Sequence, residues 1–116
     1  MIKLSSSGTD KYRYIWGPVT LGQDVGGSSV DINPNNGGIQ LWTLGASRTP
    51  TATNFLDGQS VTLMINDGSS RTITWTSIPV KWVSNVTPVL ATTGLSVIEL
   101  WKANSFVYGT KVGDVT

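Results

Sequence analysis

Residues 57–82 read DGQSVTLMINDGSSRTITWTSIPVKW. In the first half Val61, Leu63 and Ile65 are apolar at period two, with Thr62 and Asn66 facing the other way, the pattern of a strand with one buried face. Asn66-Asp67-Gly68-Ser69-Ser70 then supplies turn chemistry, because Asn and Asp bond their own backbone and Gly accepts positive φ. Alternation resumes with Ile73 and Trp75 on one face and Thr72, Thr74 and Thr76 on the other. The segment therefore predicts a β-hairpin. Trp75 and Trp82 bracket Ser77-Ile78-Pro79, where the chain is expected to turn a corner.

The same grammar extends in both directions. Residues 1–10 are polar and Ser-rich and read as an extended arm, leaving residues 11–116 as a single β-domain. Tyr12, Tyr14 and Trp16 share one side of a strand-like run, and Val19 to Leu21 begins another after Pro18. Val30 and Ile32 alternate with Asp31 and Asn33 before the turn signal at residues 34–38, and strand character returns from Ile39 to Leu44. Val80 to Val83 is a short strand, and residues 85–94 are a connection. Leu95 to Lys102 carries apolar bulk on both faces, Leu95, Val97 and Trp101 with Glu99 on one and Ile98 and Leu100 on the other, which fits a central strand or a subunit interface. Ala103-Asn104-Ser105 makes a tight connection to Phe106-Val107-Tyr108, followed by Gly109 and a polar tail. Apolar residues at helical spacing never persist, so the fold class is all-β: an antiparallel β-sandwich or open, jelly-roll-like barrel.

Composition narrows the function. The chain has 116 residues, enough for a core without staples. Charged residues make up 13%, about half the usual share, and the net charge is +1. Eight scattered Lys and Arg do not build a phosphate-binding stripe, so nucleic acid is not an expected partner. Weak charge also lets copies pack closely without much repulsion. No membrane-length apolar run and no signal-peptide pattern occur, so neither membrane insertion nor signal-directed secretion is expected.

Catalytic chemistry is poorly supplied. The chain has no His and no Cys, which removes the usual general base, the thiol nucleophile and the common zinc ligands. Asp57 and Asp67 sit directly beside Gly, and Asp24 and Asp31 two residues from Gly, Asn or Ser, in turn-like context where Asp commonly bonds its own backbone, and Glu99 is the only Glu. No enzyme activity, cofactor or metal is expected. Five Trp are an excess, and most belong in a core or an interface. Trp75 and Trp101 follow strand alternation into the core. Tyr12, Tyr14, Trp16 and Trp42 are less constrained and form the candidate ligand or partner surface. A carbohydrate-binding module using such exposed aromatics is the alternative reading.

From residue 45 onward the order of signals resembles a domain of bacteriophage virion proteins, especially the distal regions of tail fibres and related head-fibre or decoration proteins. The residues that carry it are Leu44-Gly45 with Arg48-Thr49, Asp57-Gly58-Gln59-Ser60-Val61-Thr62-Leu63 and Arg71-Thr72-Ile73-Thr74-Trp75, then Val80-Lys81-Trp82, Thr87-Pro88-Val89-Leu90 and the final hairpin from Val97 to Gly109. Together they span somewhat over half the chain. The resemblance implies a non-enzymatic structural subunit of a virion, assembled in the host cytoplasm and commonly homotrimeric. Its implied partners are other virion proteins and a host-surface glycan.

Overall fold

A computed structural model describes residues 19–20, 30–66 and 71–116. These residues are all-β: one six-stranded sheet, two 3-10 turns and no α-helix. The strands are β1 (Val19–Thr20), β2 (Ile39–Thr43), β3 (Ser60–Asn66), β4 (Lys81–Trp82), β5 (Leu95–Ala103) and β6 (Phe106–Val115), in the spatial order β1-β2-β3-β5-β6-β4. The 1–10 arm lies outside the described residues.

Period-two alternation becomes burial in each long strand. Trp42 on β2, Val61, Leu63 and Ile65 on β3, Ile98 and Leu100 on β5 and Val107 on β6 face one side. Val30, Ile32, Leu44, Phe55, Trp75 and Ile78 come from the connecting segments and close the same core from above. That covering layer is tied down by backbone pairing outside the sheet. Ile32 donates to the Thr51 carbonyl and Thr51 to that of Val30; Arg48 donates to Thr72 and Thr74 to Arg48.

The 57–82 hairpin does not form. β3 pairs along one edge with β2, parallel, and along the other with β5, antiparallel, so neither edge is open to residues 71–76. Ile73 instead makes an isolated parallel bridge to Arg48, and Trp75 drops into the core. Alternation had reported which face is buried correctly, but not which strand lies alongside. The sheet is also mixed rather than antiparallel, with parallel pairs β1–β2, β2–β3 and β4–β6. Residues 44–59 are long enough for the crossover of a dozen or more residues that parallel neighbours need.

β5 is a central strand between β3 and β6, as its two-faced apolar pattern implied. The two-residue turn Asn104-Ser105, with φ of 50° and 68°, joins it to β6. Both positive angles match the type I′ geometry that suits the twist of a hairpin. β6 runs on to Val115, so the expected polar tail is strand, with a register shift opposite Val97/Ile98. Gln40 is fully buried, and its Nε2 donates to the carbonyls of Asn33 at 2.8 Å and Gly37 at 2.9 Å, fastening the Pro34–Asn36 turn to β2.

Candidate functional site

The acidic side chains in the described residues are occupied in local structure. Asp31 Oδ1 accepts from the Thr51 hydroxyl, the Thr53 amide and the Thr53 hydroxyl at 2.9–3.1 Å. Asp57 accepts from the amide of Ser105 at 3.0 Å and so braces the β5–β6 turn. Glu99 accepts from the Thr62 hydroxyl across two neighbouring strands. The Asp114 carboxylate meets Lys111 Nζ at 2.8 Å, and its Oδ1 also accepts from the Ser96 hydroxyl at 3.1 Å. The Lys111 hydrogen bond, with help from Ser96, holds the Asp114 carboxyl below its ordinary range despite some opposing desolvation. Among the described residues no group of three or more Asp or Glu could hold a metal ion. Asp24 and Asp67 lie outside the described residues.

Of the aromatic surface expected from sequence, Tyr12, Tyr14 and Trp16 fall outside the described residues. Trp42 does not belong to a surface. It has no solvent exposure, because its position on β2 points it to the same face as Leu63 and Ile98 on the strands beyond. Its Nε1 has no hydrogen-bond acceptor, and neither has Gln40 Oε1 a donor. Trp101 departs from expectation in the opposite sense. Alternation places it with Glu99, opposite Ile98 and Leu100, and there it is half-buried and stacked on Tyr108, with centroids 6.2 Å apart and planes 17° apart.

The outer face of the sheet carries apolar side chains on both sides of a polar row, Thr62, Glu99 and Thr110. Register aligns Leu41, Met64 and Val97 in one row and brings Leu95 beside Val115 in the next. Leu41, Met64, Leu95, Val97 and the Trp101–Tyr108 pair are only half-buried, while Ile39, Phe106 and Val115 are about half exposed. Lys81 lies over the Phe106 ring at 4.6 Å.

A second feature lies at the β4 end of the core. The corner at residues 76–79 brings Trp75 and Trp82 edge to face, with centroids 5.2 Å apart at 75°. Beside them opens a cleft of about 460 Å³ lined by Ile73, Thr74, Trp75, Thr76, Pro79, Val80, Trp82 and Thr87. Trp75 is nearly enclosed, Trp82 is half-buried, and the three Thr side chains are exposed. No charged residue lines the cleft. Sequence reading foresaw the bend but assigned no site to it; the bracketing of Ser77-Ile78-Pro79 by two Trp was the available signal.

Trp82 is held from below by an absence of side chain. A Cβ on Gly109 would stand 2.6 Å from Trp82 Cζ3 and 2.7 Å from Leu100 Cδ2. Gly109 is the register partner of Trp82 on β6, so a glycine here leaves room for the indole beside the strand.

No protein-family model matches the chain, and neither a curated protein nor a solved structure matches it.

Proposed function

We propose that this chain is a non-enzymatic structural subunit of a bacteriophage particle, a sandwich-like β-domain that assembles as a homotrimer, attaches to other virion proteins and contributes adhesive contacts to the host surface. In this reading the connecting segments over the core serve as the second layer of the sandwich. The observation that carries it is the outer sheet face. A sheet that buries one face and meets water with the other normally alternates apolar and polar residues. Here the second face presents Leu41, Met64, Leu95, Val97, Trp101 and Tyr108 part-exposed, with Glu99 engaged by Thr62. Part-exposed apolar side chains thus lie on both sides of the Thr62–Glu99–Thr110 row, and exposed apolar area of this kind on a folded domain marks a protein contact. Eight basic and seven acidic residues in 116 put little repulsion in the way of identical neighbours. The order of signals from residue 45 onward supports the virion setting by resemblance.

Light scattering on the purified chain tests the assembly. The expected mass is three times the 12.4 kDa of one chain, and Val97→Lys, which sets a cation in the middle of the outer face, is expected to shift it to one. A wild-type monomer at micromolar concentration, with no companion protein retaining it on the particle, overturns the reading.

A further inference from the structure

We infer that the cleft beside Trp75 and Trp82 is a binding site for a neutral saccharide, with Trp82 as the stacking platform. The inference rests on, and deepens, the adhesive part of the function proposed above.

Three features of the cleft select the ligand. The first is the missing charge: an ionised group entering it would shed hydration with no counter-charge to meet it, which disfavours phosphorylated, sulfated or uronate ligands. The second is the polar wall. Thr74, Thr76 and Thr87 each present a hydroxyl that can donate and accept, matching sugar hydroxyls that do both. The third is the aromatic floor. The C–H face of a pyranose ring carries partial positive charge and apolar area, and the indole face offers negative π density and apolar area to meet it. A volume of about 460 Å³ falls within the roughly 300–1,000 Å³ of small-ligand sites.

The independent observation is the way Trp82 is fixed. Gly109 lies in strand β6 and is not among the residues with positive φ, so the backbone there does not call for glycine. What the missing Cβ provides is room for the Trp82 six-membered ring, whose centroid lies 5.2 Å from that of Trp75 in a T-shaped pair. A side chain needed only to fill core volume could be accommodated by repacking. An indole seated against a strand glycine, braced by a second indole and half-buried beside a hydroxyl-rimmed cleft, is already ordered before a ligand arrives. Such ordering removes much of the rotamer entropy that binding would otherwise cost.

The test uses the full chain and follows the indole N–H resonances by NMR during titration with neutral gluco-, manno- and galacto-oligosaccharides, and with oligogalacturonate as the charged comparison. At least one neutral series is expected to shift the Trp82 resonance saturably at millimolar concentrations, and oligogalacturonate is expected to leave it unmoved. Trp82→Ala should weaken binding by about tenfold or more. Should that variant unfold, Thr76→Val, on an exposed turn, removes one hydroxyl with little change of shape and should still weaken binding severalfold. No saturable shift with any neutral series, or saturable binding that both variants leave intact, overturns the inference. Failure here is separable from failure of assembly, because Val97→Lys lies on the other face of the sheet. A monomer that binds sugar sinks the trimer and keeps the cleft, whereas a trimer blind to every sugar does the reverse.

Discussion

Trp42 and Gln40 lie on the same face of β2, both fully buried, and each keeps one polar atom without a partner. A buried donor left unpaired costs about 1–3 kcal/mol. Trp42→Ala is expected to destabilise by about 3–5 kcal/mol through lost contacts and a cavity. Trp42→Phe gives up less volume and also deletes the stranded N–H, so its cost should be far smaller, under about 1.5 kcal/mol. Urea midpoints for the two variants decide the matter, and a loss for Trp42→Phe as large as that for Trp42→Ala would overturn the expectation. Asp114 makes a different prediction, one about pH. Its carboxyl titrates lower in the folded chain than in the unfolded one, held there mainly by Lys111. Its contribution is therefore complete above the unfolded value and disappears as pH falls through the folded value. A carboxyl-carbon NMR titration should place Asp114 below an ordinary Asp, and Lys111→Met should move it upward.

The β5–β6 hairpin turns through Asn104 and Ser105, both with positive φ. Asn tolerates the left-handed region, but Ser does so less readily, and glycine is the preferred second residue of this turn. Ser105→Gly is expected to stabilise the domain by about 1 kcal/mol, read as a raised thermal midpoint. The amide that donates to Asp57 is retained in that variant. This hairpin was legible in the sequence because its information is local: two alternating runs and a two-residue turn. The corner at residues 76–79, between two Trp, was legible for the same reason. The partnership of β3 was not. Val61, Leu63 and Ile65 announce a buried face, yet β2 and β5 reach β3 from separate parts of the chain, and nothing in residues 57–82 encodes their arrival. Ile73 and Trp75 alternate like strand residues because both approach the core, one through a single bridge and one through a buried indole. Trp42 misled for a related reason: a Trp flanked by Leu41 and Thr43 reveals its burial only once the strands on either side are known. The saccharide cleft depends on Gly109 and Thr87 as well as the corner, and their approach to Trp82 is a property of the sheet.

Across the whole sheet, β3 and β5 have strand neighbours on both sides, whereas β1 and β4 are two-residue edges. Native-state hydrogen exchange should therefore find the slowest amides in Leu63, Ile65, Ile98 and Leu100 and the fastest strand amides in β4. Uniform protection from centre to edge would show that the domain opens only by complete unfolding. The strand order also has a meaning in time. β5 and β6 can pair as soon as a two-residue turn closes, whereas β3 must find β5 across residues 67–94 and β2 must find β3 across residues 44–59. Non-local pairing must pay the larger loop-closure entropy before its contacts form. The chain is expected to fold from its last third backwards, with substitutions at Asn104 and Ser105 slowing folding and substitutions in β2 mainly speeding unfolding. The β5–β6 hairpin is then the template on which every earlier strand waits.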